Sequence, residues 1–88
     1  MSKIERLIQK AIGSPQNLKF TEFCKLCRYF GMKRRKGKGS HKVYKREDPP
    51  IFSLSIQKDK NGMAKPFQVD QLLDKVREHG LYDFKEED

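Results

Sequence analysis

The segment GKGSHKVYKR, residues 37–46, holds the group best suited to chemistry in this chain. One of the chain's two histidines, His41, follows Gly39 and Ser40 inside its most cationic stretch. Lys33, Arg34, Arg35, Lys36, Lys38, Lys42, Lys45 and Arg46 surround it, and no acid intervenes until Glu47. Neighbouring cations lower a histidine's pKa and favour the neutral base. Beside a bound ribose, such an imidazole can take the 2′-hydroxyl proton. The alkoxide then attacks the adjacent phosphate, whose added charge the lysines and arginines offset. This chemistry needs no metal and no small-molecule cofactor. A lone histidine near a strand is more often a surface or packing residue, and charge runs are usually solvated. Here the density of cations, with Gly37 and Gly39 allowing backbone to approach a phosphate, favours nucleic-acid contact.

The other chemistry-bearing residues read as structure. His79 sits in the last turn of a helix before Gly80, where a cation suits the helix dipole. Cys24 and Cys27 are the only two cysteines. Phe20, Phe23, Cys24, Cys27 and Phe30 share one face at helical spacing, which places both thiols in a core. A structural zinc usually needs four ligands, and no second Cys/His pair stands at ligand spacing.

These residues need elements to position them. Ile4, Leu7, Ile8 and Ile12, with Ala11, predict an amphipathic helix over 3–12, stopped by Gly13-Ser14-Pro15. Residues 14–19 read as a short connector. A second helix is expected from Thr21 to Phe30, ended by Gly31 in the left-handed conformation. Three strands follow: Met32–Arg35, His41–Arg46 and Ile51–Gln57. In the last, Phe52, Leu54 and Ile56 alternate with Ser53 and Ser55. Residues 58–65 form a polar loop with an Asn-Gly turn. Pro66 opens a final helix to residue 79, carrying Val69, Leu72, Leu73 and Val76, with Gly80 as its cap. The expected fold is α+β: an extra N-terminal helix, then α-β-β-β-α, with two helices covering one face of a three-stranded antiparallel sheet. Alternation in the second strand sends His41, Val43 and Lys45 to one face and Lys42, Tyr44 and Arg46 to the other. Tyr44 is the core candidate, so His41 is expected on the open face.

Composition agrees with this scale. An 88-residue chain, 35% hydrophobic and 36% charged, makes one domain with a small core. The expected division is a helical extension over 1–19, a core unit over 20–82 and an acidic tail over 83–88. A formal net charge of +8 favours polyanion partners. No apolar run approaches the roughly 20 residues that span a bilayer. The N-terminus lacks the apolar region and cleavage site of a signal peptide, so a cytoplasmic location is expected.

The segment from Thr21 to Leu81 resembles HicA, the toxin of HicAB toxin–antitoxin systems. The likeness runs through Phe30-Gly31-Met32, the basic link, Gly39-Ser40-His41 with the following Tyr44, the apolar strand Phe52–Ile56 and the segment AKPFQVDQLLDKVREHGL. It covers about two-thirds of the chain. The added segment 1–19 and the longer loop QKDKNGMAKPFQ, with Pro66, depart from the family pattern. The resemblance implies a double-stranded-RNA-binding-domain-like fold used as an mRNA interferase. It implies His41 as the essential histidine and a HicB-type antitoxin that covers the active face. The expected site is therefore His41 as general base, with Arg34, Arg35, Lys36, Lys38, Gly39, Ser40, Lys42 and Lys45 against the RNA. The rival expectation is a non-catalytic double-stranded-RNA-binding module indifferent to His41. A helix-turn-helix DNA binder fits less well, because the basic residues lie on strands and a turn rather than on a recognition helix.

Overall fold

In a computed structural model of the chain, the described residues are 2–35 and 42–84. The first helix, α1, spans Lys3–Gly13. The Ser2 hydroxyl caps it by accepting from the Glu5 N–H at 3.2 Å. Ile8 and Ala11 are fully buried and Ile12 lies at the rim, 41% exposed.

The connector does more than link. Pro15–Asn17 forms one 3₁₀ turn, and Leu18 behind it is completely buried. Backbone bonds then join this stretch to the loop after the sheet: Ala64 N–H donates to the Leu18 carbonyl at 2.9 Å and Phe20 N–H to the Gly62 carbonyl at 3.1 Å. The loop itself turns on Asp59, whose Oδ1 accepts from the N–H groups of Asn61 and Met63. A single apolar residue in a polar string has no periodicity, which is why Leu18 reads only as connector in the sequence.

The second helix, α2, runs Phe20–Tyr29, one residue earlier than expected at each end. Phe20, Phe23, Cys24, Leu26 and Cys27 are buried along it, and Phe30 follows into the core. Gly31 ends the helix with φ of +85°, so the chain reverses directly into the first strand. The strands are β1 (Met32–Arg35), β2 (Lys42–Arg46) and β3 (Ser53–Ile56), forming an antiparallel sheet in the order β1-β2-β3. Met32 opposes Arg46, Lys33 opposes Lys45, Arg34 opposes Tyr44 and Arg35 opposes Val43. On the other side of β2, Lys42 opposes Ile56, Val43 opposes Ser55, Tyr44 opposes Leu54 and Lys45 opposes Ser53.

The last helix, α3, spans Pro66–Glu78 and buries Val69, Leu72, Leu73 and Val76. Gly80 takes φ of +64°, and Leu81 N–H returns to the Val76 carbonyl at 3.0 Å. Gln68 joins helix to sheet, its Oε1 accepting from the Gln57 N–H at 3.0 Å. All three helices and one face of the sheet share a single core, which takes in Ile8, Ala11 and Leu18 from the N-terminal segment. The architecture is α+β, with the helix-strand-strand-strand-helix order following α1. No helix among the described residues is long and apolar enough to cross a membrane.

Candidate nucleic-acid interface

The β register sorts the basic run onto two faces. Directly opposed residues of an antiparallel pair point to the same side, and neighbours along a strand alternate. Tyr44, only 2% exposed, marks the helix-covered face, with Met32, Leu54 and Ile56. Arg34, Lys42 and Arg46 therefore belong to that side. Lys33, Arg35, Val43, Lys45, Ser53 and Ser55 form the open face, where all but the half-buried Val43 are exposed.

The open face concentrates charge that the fold does not need. Lys33 stands directly across from Lys45. Opposed like charges destabilise a sheet, because the Cβ atoms of such a pair lie only about 5 Å apart. No acidic partner meets either lysine among the described residues. Arg35 does have one, its guanidinium pairing with the Glu47 carboxylate. The face is thus a basic surface with serine hydroxyls along one side and a small apolar centre at Val43.

The other basic side chains are held differently. The Lys42 ammonium lies over the Phe20 ring, 5.3 Å from its centroid, at the rim between sheet and α2. Arg46 is drawn into the fold: its Nη1 donates to the Phe30 carbonyl at 2.5 Å and its Nη2 reaches the Pro49 carbonyl at 3.4 Å. Its Nε is buried with no hydrogen-bond partner among the described residues. Arg46 supplies a cation to the carbonyl end of α2, where the helix dipole is negative.

Of the residues expected to form the site, Arg35 and Lys45 share the open face, and Arg34 and Lys42 lie on the helix side. Lys36, Lys38, Gly39, Ser40 and His41 lie outside the described residues. Lys33 was not among the expected contacts. Only the strand register singles it out, by setting Lys33 opposite Lys45. β1 ends at Arg35 and β2 begins at Lys42, so these two strands bracket the segment that contains His41.

The thiols lie in the core. Cys24 and Cys27 are free and buried. Burial, and then the neighbouring Cys24, push the Cys27 thiol well above its ordinary value, so it is not a thiolate at neutral pH. Burial also raises the Tyr44 phenol, to about 12, aided by the Cys24 thiol against its hydroxyl. His79 caps α3 and stacks its ring on Phe52, with centroids 5.5 Å apart and planes at 3°. This contact adds packing to the helix-end position expected of it. Neither a protein family, nor a curated protein, nor a solved structure is found to match this chain.

Proposed function

We propose that this chain is a metal-independent endoribonuclease of the HicA kind, the toxin of a type II toxin–antitoxin pair acting on mRNA in the cytoplasm. The observation that carries the reading is the Lys33–Lys45 pair on the open face, which no acid matches among the described residues. Such a pair costs the free protein stability and repays it only when an anion lies across it. An RNA backbone has the spacing and charge to do so. The helix-strand-strand-strand-helix order, with its helices on one face of the sheet, supports a double-stranded-RNA-binding-domain-like fold.

In this reading His41 is the general base. The basis for that role is the sequence, in which His41 stands within the basic run two residues before Val43. His41 takes the 2′-hydroxyl proton, the 2′-oxygen bonds to phosphorus, and the bond to the 5′-oxygen breaks. The products are a 2′,3′-cyclic phosphate and a 5′-hydroxyl, the latter protonated by a lysine, by water or by His41 in a second, shuttled role. Lysines and arginines of the β1–β2 region offset the charge on the phosphoryl oxygens. A HicB-type antitoxin would lay carboxylates over the same face and so relieve the same repulsion.

Purified protein should cut single-stranded RNA in EDTA. His41→Ala should slow cleavage about a hundredfold or more while leaving the fold intact. Cleavage at the parental rate by His41→Ala would refute the assignment. The second reading, a non-catalytic RNA-binding module, draws on Arg34 and Lys42 lying on the side opposite Lys33 and Lys45. Cations spread around a hairpin suit backbone contact better than focus on one bond. RNA binding without cleavage, unchanged by His41→Ala, would select it.

A further inference from the structure

β1 and β3 are the two edges of the sheet, since β2 is paired on both sides. The edges differ in their protection. β1 presents Lys33, Arg34 and Arg35, all exposed, and such charge keeps one sheet edge from pairing with another. β3 reads SLSI and follows Ile51, which is 61% exposed. No charged residue and no proline falls within residues 51–56.

The ladder determines which backbone groups of β3 remain outside. Arg46 N–H donates to the Phe52 carbonyl at 2.9 Å, and the pairing continues through Tyr44 with Leu54 and Lys42 with Ile56. The intervening residues, Ser53 and Ser55, therefore turn their N–H and C=O groups away from β2. They open onto a groove of about 500 Å³ between β3 and α3, lined by Ser53, Leu54 and Ser55 on one side and Gln71, Asp74, Lys75 and Glu78 on the other. The Asp74 and Glu78 side chains are 76% and 62% exposed, each held only by a 3.8 Å contact, to Arg77 and Lys75 respectively.

We propose that this groove docks an extended segment of a partner protein, which adds a strand beside β3 and directs basic side chains at alternate positions to Asp74 and Glu78. The backbone of the segment would bond with Ser53 and Ser55. Its pleat would send every second side chain toward α3 and the others onto the open side. Asp74 and Glu78 outnumber Lys75 along the α3 wall, which disfavours a polyanion in the groove, although Ser53 and Ser55 also border the basic face. A second copy joined edge to edge would bring the same carboxylates together across the two-fold axis. The inference does not rest on the RNA reading.

The test is an NMR titration of the full isotope-labelled chain with a short peptide alternating lysine and valine, beside a glutamate–valine control. The lysine peptide should shift the Ser53 and Ser55 amides and protect them from hydrogen exchange. Ser55→Pro deletes an edge-facing N–H without removing a bond to β2, and should abolish this protection. Asp74→Lys with Glu78→Lys changes only exposed helix positions and should weaken the lysine peptide about tenfold. Three results would overturn the proposal: no protection at Ser53 and Ser55, equal binding of the glutamate peptide, or undiminished binding to the charge-reversed variant. Protection that grows with protein concentration in the absence of peptide would make a second copy the occupant, and would overturn it too.

Discussion

Replacing Gly31 with alanine should damage this fold in two separable ways. Gly31 has φ of +85°, and holding an L-residue in the left-handed region costs about 1–2 kcal/mol. A Cβ at this position would also stand 2.3 Å from Arg46 Nη1. The guanidinium is the far end of a flexible chain and can retreat. In doing so it gives up its bond to the Phe30 carbonyl, and a hydrogen bond to a charged group is worth about 1.5–3 kcal/mol. The expected cost is about 3 kcal/mol, a fall in Tm of about 10 °C or more for a domain of this size. Arg46→Met keeps the aliphatic stem and removes the guanidinium. In that background Gly31→Ala should cost only the backbone strain, about 1 kcal/mol, leaving a coupling of about 2 kcal/mol. Urea denaturation of the four proteins in the cycle measures it. If Gly31→Ala costs the same in both backgrounds, the guanidinium does not depend on the missing Cβ. If it costs nothing in either, the left-handed turn is not needed to leave α2.

Lys45→Glu places a carboxylate opposite Lys33; Tm should rise, by up to about 1 kcal/mol in stability, while RNA affinity and its salt dependence both fall. An unchanged or lower Tm would remove the repulsion argument. Glu22 is partly desolvated, which works against ionisation, yet the Lys19 N–H at 2.9 Å and the Lys10 ammonium at 3.2 Å hold its carboxyl below the usual glutamate range. Its contribution is thus full above the unfolded-state value and lost as pH falls through the lower folded-state one. Glu22→Gln should destabilise the protein at neutral pH and flatten the acid limb of its stability profile; an unaltered acid limb would mean the ion pair is idle. Cys27, buried and held as the thiol, should resist iodoacetamide in the native protein and react once unfolded; rapid native alkylation would contradict the core position.

The fold was legible where one physical signal acted alone. Helical spacing of Ile4, Leu7, Ile8 and Ala11, and of Phe23, Cys24 and Cys27, located α1 and α2 because burial of one stripe decides a helix of this length. Alternation of Phe52, Leu54 and Ile56 located the β3 region for the same reason in a strand. The regular part is nevertheless only Ser53–Ile56, because strand limits follow from the partner's ladder, which composition does not carry. The polar loop 58–65 and its Asn-Gly turn were legible, but the docking of that loop on Leu18 was not. That docking comes from backbone bonds across the chain, and those bonds leave no pattern in side-chain type.

The basic segment was legible as charge but not as an arrangement. Read along the chain, Lys33, Arg34, Arg35, Lys42, Lys45 and Arg46 look like one cluster. In three dimensions a strand's period of two divides them, and each half has a different relation to the core. On the helix side, Arg46 meets the carbonyl end of α2 and Lys42 meets an aromatic ring, so the fold itself uses their charge. On the open side Lys33 and Lys45 meet each other. A stabilising role explains the first pair and not the second. The proposed anion contact therefore rests on the two opposed lysines, since Arg35 already pairs with Glu47, rather than on the net charge of +8. A sequence that merely needed solubility could have placed those charges anywhere on the surface and avoided opposing them across adjacent strands.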